Sequence, residues 1–229
     1  MENLNNGFTL ELCDGAFPLS TDSIALAGFV KLPKNANVLD LGSGCGTLGL
    51  LLCADRADCT VTGIEIDPKA HETALSNASA NHIEERLNSI YQNVCNVPSF
   101  ITPGSYHVCV SNPPYFTNGP QSKTLPNARR EDLLSLDTLF AAASWSVRFG
   151  GDFYLVHRPE RLSEIFVTAN KHHLEAKQLQ LLHHHIGGPV NLVLIKFRKG
   201  AKPGLKWDEQ YLFDECGEKT AYYKQLYHF

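Results

Sequence analysis

Apolar residues along this chain follow two alternating rhythms. Short, mostly apolar runs near 37–41, 60–65, 88–92, 106–111, 152–157, 178–183 and 190–198 read as strands buried in a sheet. Between them, apolar positions at helical spacing predict helices near 46–54, 69–81, 132–147 and 160–172. Asp67-Pro68 marks the start of the second, with Asp as the N-cap and Pro in the first turn. Alternation of this kind implies a mainly parallel sheet with helices on both faces, here a seven-stranded Rossmann-like α/β domain. Ligands of such sheets bind beyond the carboxyl ends of the strands. Ahead of the first strand, Ser20-Thr21-Asp22 can cap a helix over about 23–31 whose Ile24, Leu26, Ala27 and Val30 suit burial on one side.

The first strand runs into Val38-Leu39-Asp40-Leu41-Gly42-Ser43-Gly44-Cys45-Gly46, a strand, a glycine-rich turn and the start of a helix. Glycines let the backbone turn sharply and approach a ligand with no Cβ in the way. Gly42-x-Gly44-x-Gly46 departs from the dinucleotide fingerprint, because Thr47 stands where its third glycine would fall. Asp40 sets a negative charge just before the turn, where a pyrophosphate would be repelled. The ammonium of S-adenosylmethionine would be welcomed there, so the sign of the charge favours that cofactor. Glu65 ends the second strand about 20 residues after the glycines, where an acid takes ribose hydroxyls. Asn93, after the third strand, is placed to contact the adenine. Phe17 and Asp22, in the segment before the sheet, are candidate lining residues of a cover over this site.

The strand at 106–111 ends in Asn112-Pro113-Pro114-Tyr115. This arrangement suits methylation of a planar exocyclic nitrogen. The Asn112 side-chain carbonyl and a neighbouring backbone carbonyl can accept both hydrogens of an NH₂ group. The prolines donate nothing and stiffen the loop. Tyr115 offers a flat face for a base. The stretch from Phe116 to Glu131 follows directly, is rich in Asn, Pro, Gly, Ser and Lys, and is expected to order when substrate binds.

Composition narrows the class. A length of 229 residues, 43% of them hydrophobic, fills one domain with a full core. The boundaries read as 1–35, a segment packing over the cofactor site; 36–200, the catalytic domain; and 201–229, an aromatic tail packed on the same domain. No secretory signal or membrane span is evident, and seven scattered cysteines without a C-x-x-C pair read as reduced thiols, so the expected compartment is the cytoplasm. Cys45 reads as a small residue rather than a reactive one. Adjacent histidines in a strand point to opposite faces, so His183-His184-His185 cannot converge on a metal, and no metal is expected. The net charge of −4 counts against a broadly basic nucleic-acid face. Local clusters remain: Arg129 and Arg130; Arg148, Arg158 and Arg161; and Lys196, Arg198, Lys199, Lys202 and Lys206. Several are expected near strand ends on the ligand side, with Arg129, Arg158 and Arg161 as candidates for substrate phosphates.

Taken together, these segments resemble the class I S-adenosylmethionine-dependent methyltransferases. More narrowly, the chain is similar to the bacterial tRNA1(Val) adenine-N6 methyltransferase group. The likeness runs from Gly15-Ala16-Phe17-Pro18-Leu19-Ser20-Thr21-Asp22-Ser23 through the glycine turn, Gly63-Ile64-Glu65-Ile66 and Ser111-Asn112-Pro113-Pro114-Tyr115. It continues in Ala128-Arg129-Arg130-Glu131, Leu155-Val156-His157-Arg158-Pro159-Glu160-Arg161-Leu162, Asn191-Leu192-Val193-Leu194 and Lys202-Pro203-Gly204-Leu205. The resemblance implies N6 methylation of an adenosine beside the anticodon of a tRNA, by a monomer or weak dimer, with Ile66 joining the cofactor contacts. The same Asn-Pro-Pro-Tyr also serves methylation of glutamine amides in release factors, of guanine N2 in ribosomal RNA and of adenine in DNA. An inactive cofactor-binding module that contacts RNA is a further alternative.

Overall fold

The computed structural model describes residues 2–4, 7–15, 19–114 and 134–227. Among these, a short antiparallel pair, β1 (Glu2–Asn3) and β2 (Thr9–Leu10), precedes α1 (Thr21–Phe29). Then follow β3 (Asn37–Leu41), α2 (Thr47–Asp55), β4 (Thr60–Glu65), α3 (Pro68–Ala80), β5 (Leu87–Tyr91), α4 (Val97–Phe100) and β6 (Tyr106–Ser111). The second half holds α5 (Leu136–Ser146), β7 (Val147–His157), α6 (Leu162–Lys171), β8 (Leu174–His185), β9 (Val190–Lys199), β10 (Lys206–Phe213) and α7 (Ala221–Tyr227).

The central sheet has the order β10-β8-β9-β7-β6-β3-β4-β5. Every neighbouring pair is parallel except the two made by β9. Alternation along the strands feeds two cores. Val38, Val61, Val108, Val110 and Val156 pack with Leu26 and Phe29 of α1, Leu50 of α2 and Leu226 of α7. Leu39, Leu41, Ile64, Phe153 and Phe197 pack on the other face with Leu139 and Phe140 of α5 and Ile165 of α6. There Phe140 meets Phe153 and Phe197 edge to face, with centroids at 5.3 and 5.2 Å.

Two expectations need correction. The sheet has eight strands rather than seven, because the tail contributes β10 beside β8. Its sequence, Lys-Trp-Asp-Glu-Gln-Tyr-Leu-Phe, is polar over most of its first five residues, since an edge strand leaves much of its surface in water. β7 begins at Val147 rather than 152, through an irregular start where Gly150 has φ 75° and the register to β6 slips between Tyr106 and Val108. At α1, Ser20 occupies the N-cap, yet its side chain makes no capping bond; only its carbonyl accepts, from the Ile24 N–H at 3.2 Å. Asp67 does cap α3, accepting from Lys69 and Ala70 N–H groups at 2.9 and 3.1 Å.

Candidate functional site

The carboxyl ends of β6, β3, β4 and β5 are stitched into one row. Ser111 Oγ donates to the Leu41 carbonyl at 2.7 Å. The Gly42 and Ser43 N–H groups both donate to the Ile64 carbonyl, at 3.0 and 3.1 Å, and Gln92 N–H donates to the Glu65 carbonyl at 2.9 Å. These bonds hold the glycine turn and the Asn112-Pro113-Pro114 segment side by side at adjacent strand ends.

Gly42, Gly44 and Gly46 all have positive φ, at 79°, 56° and 81°, so the turn uses the conformations for which glycine is suited. A Cβ on Gly46 would meet Ala74 Cβ at 3.2 Å, so this glycine lets α3 pack against the turn. A Cβ on Gly44 would meet nothing within 4 Å, so the backbone there faces open space. Gly63 is bare because Ser43 occupies the space its side chain would need.

Asp40 is buried beneath the turn, and among the described residues its Oδ2 has no hydrogen-bond partner. Burial, and then the neighbouring charge of Glu65, push its carboxyl up to about 7. Glu65 is buried as well but fully engaged: Oε2 accepts from Gly44 N–H at 2.8 Å, and Oε1 accepts from Ile66 and Asp67 N–H groups at 2.9 and 2.7 Å. It therefore ties the glycine turn to the loop after β4, and carboxylate oxygens have lone pairs left for hydroxyl donors. Ile66 beside it is an exposed apolar residue. Asn93 caps the short turn after β5, its Oδ1 accepting from Cys95 N–H at 2.9 Å. An unpartnered buried acceptor, open space above Gly44 and an exposed apolar side chain suit the ammonium, backbone and ring of S-adenosylmethionine.

Cys45 Sγ lies 3.5 Å from Cys13 Sγ, and burial raises the Cys45 thiol to about 12, so it stays protonated and unreactive. Pro113 is buried, while Asn112 and Pro114 are partly so. Asn112 Nδ2 donates to Ser23 Oγ at 3.0 Å, which brings the first turn of α1, Asp22 included, to this site. His157, ending β7, accepts from the Arg158 N–H on Nδ1 at 2.8 Å, and burial lowers it to about 4, so it is neutral near pH 7. Phe17, Tyr115, Arg129 and the stretch from Phe116 to Glu131 lie outside the described residues.

The basic residues divide. Arg158 is exposed just past the end of β7, with a guanidinium nitrogen on the Asn191 carbonyl at 3.1 Å; Arg161 follows it and pairs with Glu164 at 2.8 Å. Among the described residues, Arg148 and the cluster from Lys196 to Lys206 are not on the ligand side, which corrects that expectation for them, while Arg129 and Arg130 lie outside the described residues. β9 runs antiparallel, so its late residues end at the opposite edge. There Lys196 and Arg198 grip Asp152 at 3.0 and 2.7 Å, and Lys199 donates to the Ser144 and Val147 carbonyls at the end of α5. Arg148 lies beside Gly104, before β6 begins. His183 is buried and stacked on Tyr211 with centroids at 4.8 Å. Among the described residues, no group of three His, Cys, Asp or Glu side chains converges as metal ligands do. Nor is any helix among them long and apolar enough to cross a membrane.

Sequence reasoning missed Asn77, in the last turn of α3, and Asn81, four residues on at its C-cap. Asn81 accepts from Thr9 N–H at 2.7 Å and donates to the Thr9 carbonyl at 2.8 Å. Asn77 repeats this with Glu11, at 2.8 Å each way, and also donates to the Cys45 carbonyl at 2.9 Å. Two amides thus imitate a neighbouring strand and hold residues 9–11 against the glycine turn. Amides at i and i+4 spanning the last turn and the C-cap of the helix were the available signal.

A family model described as methyltransferase small domain matches residues 21–166. A tRNA1(Val) (adenine(37)-N6)-methyltransferase of Phocaeicola vulgatus is 27% identical over 185 residues, 80% of this chain and 77% of that one. A protein of the same name from Shewanella halifaxensis is 33% identical over 151 residues, 64% of this chain and 60% of that one. The crystal structure of a predicted O-methyltransferase, Atu636 of Agrobacterium tumefaciens, superposes with a TM-score of 0.76 at 19% identity, covering 91% of this chain and 96% of that one, a likeness of fold.

Proposed function

The chain belongs to the methyltransferase small domain family, and from that premise we propose that it methylates the exocyclic N6 of an adenosine in tRNA, with Asn112, Pro113, Pro114 and Tyr115 as its catalytic segment. It is an S-adenosylmethionine-dependent methyltransferase. The observation that carries the reading is the placement of Asn112-Pro113-Pro114 at a strand end directly beside the glycine turn and Asp40, whose Oδ2 has no partner among the described residues.

Bound there, S-adenosylmethionine supplies an electrophilic methyl group on a positively charged sulfur. Asp40 Oδ2 would take the donor's ammonium, Glu65 its ribose hydroxyls, Gly44 would let it approach the backbone, and Ile66 and Asn93 would border its adenine, with Asp22 at the entrance. Asn112 Oδ1 and the Pro113 carbonyl accept the two hydrogens of the target amino group. That draws the nitrogen lone pair out of the ring and stabilises the positive charge that grows as the new bond forms. Both prolines lack N–H groups, so no donor competes for that nitrogen. Holding it in line is worth much of the acceleration, and no strong base is needed because the methylated ammonium sheds its proton readily. Tyr115 is assigned to stack on the unstacked base, and Phe17 to contact the substrate. Arg158 and Arg161 meet phosphates on the ligand side, with Arg129 from the loop.

The relatives named for tRNA methylation support the nucleic-acid class of substrate. The test is transfer of label from radioactive S-adenosylmethionine into separate pools of unmodified tRNA, ribosomal RNA, DNA and cell protein, followed by nucleoside and amino-acid analysis. Label in tRNA as N6-methyladenosine is the expected result. Label in a ribosomal guanine or in protein glutamine would retain the chemistry and overturn the substrate.

A further inference from the structure

Helix α1 buries Ser23, Ala25, Leu26 and Phe29, and Ser23 is the only one of them with a polar side chain. A buried hydroxyl without a partner is costly. The partner here is Asn112 Nδ2, which donates to Ser23 Oγ at 3.0 Å across 89 residues of sequence.

The support beneath it is firm. Thr21 Oγ1, in the same turn as Ser23, lies 3.0 Å from Tyr227 OH of α7. Leu226 of α7 sits so closely over Gly28 that a Cβ there would lie 2.7 Å from its Cδ2. The end of the chain thus clamps the helix that reaches the catalytic segment.

The two ends of an asparagine amide are close to the same size but opposite in chemistry. An incoming amino group needs the carbonyl; a flipped amide would present NH₂ to NH₂. We propose that Ser23 is a positioning residue for methyl transfer: its hydroxyl, accepting from Asn112 Nδ2, holds the amide against rotation in the arrangement that leaves the carbonyl end for the target nitrogen. The inference rests on the role given to Asn112 above. Carbonyl oxygens accept more than one hydrogen bond, so the arrangement needs no vacancy at Oδ1. Ser23 neither touches substrate in this account nor binds the methyl donor.

The test compares Ser23→Ala and Ser23→Thr with the unaltered enzyme, using unmodified tRNA transcript and radioactive S-adenosylmethionine. Alanine favours helix, so the first variant should fold. Its expected effect is a fall in kcat of about tenfold, the equivalent of one hydrogen bond, with KM for tRNA and Kd for the methyl donor little changed. Ser23→Thr, which keeps the hydroxyl, should recover most of the rate. An unchanged kcat in Ser23→Ala, or equal losses in rate and in both affinities, overturns the proposal. A second reading is independent of substrate. The ¹⁵N side-chain amide signal of Asn112, identified by its loss in Asn112→Asp, should shift and exchange faster with solvent in Ser23→Ala and recover in Ser23→Thr. If that signal is indifferent to Ser23, the positioning role fails. If instead the unaltered enzyme labels no tRNA, the substrate reading fails, and the amide signal still decides the role of Ser23.

Discussion

At Asp40 the fold and the proposed ligand pull one carboxyl group in opposite directions. Its pKa is 3.8 as a free side chain and about 7 in the folded protein. The folded state therefore binds this proton more tightly than the unfolded chain does, and stability falls as pH rises through that interval. Asp40→Asn should accordingly raise the Tm, with a larger gain at about pH 8 than at about pH 5. A bound ammonium favours the ionised form, so the affinity for S-adenosylmethionine should weaken below about pH 7, by up to about tenfold per pH unit. Calorimetric titrations from about pH 7.5 to about pH 5.5 check this, and a flat Kd would remove Asp40 from the ammonium site. At Asn112 the expectation differs. Asn112→Ala should lower kcat by about 10²- to 10³-fold while changing the Kd of the methyl donor little, since its amide acts on the growing charge rather than on the cofactor. Equal losses would contradict that role.

Among the elements, α3 has an unusual second task. Four residues along a helix advance about 6 Å, and two residues along an extended chain advance about 6.6 Å. Asn77 and Asn81 therefore match the spacing of Glu11 and Thr9, and each amide satisfies one N–H and one carbonyl. Asn77→Ala would leave the Glu11 N–H, the Glu11 carbonyl and the Cys45 carbonyl without this partner, and should cost about 2–3 kcal/mol of stability. Hydrogen exchange should show residues 9–13 losing protection while the central strands keep theirs. Uniform loss across the sheet would mean that the asparagines support the whole domain rather than this segment. The strands were legible because burial on both faces leaves an apolar run that few other elements produce. β10 was not, because an edge strand tolerates Lys206, Asp208 and Glu209.

For the whole molecule, charge sets how RNA is held. The net charge is −4, and Lys196, Arg198 and Lys199 are committed to Asp152 and to the end of α5. Among the described residues few cations then face the ligand side, so their contribution to binding should depend only modestly on salt. We expect the slope of log Kobs against log salt to correspond to roughly two to four phosphate contacts, and Arg158→Ala to reduce it by roughly one. A steep slope that Arg158→Ala leaves unaltered would place the RNA on another face.

The sequence by itself determined the α/β order, the glycine turn, the acids that end β3 and β4, and the Asn112-Pro113-Pro114 segment. All are local: a period of burial, a backbone needing positive φ, or a residue type fixed by what a strand end must present. Only the tertiary structure decided the partners reached across long stretches of chain. Ser23 meets Asn112, Asn77 meets Glu11, and α7 meets α1 because sheet order and helix packing carry them there. It also decided which cations share the ligand side, since one antiparallel strand, β9, reverses the end at which its charges emerge. Contacts of this kind leave no period in the sequence, because their energy depends on where two distant segments arrive rather than on what surrounds either of them in the chain.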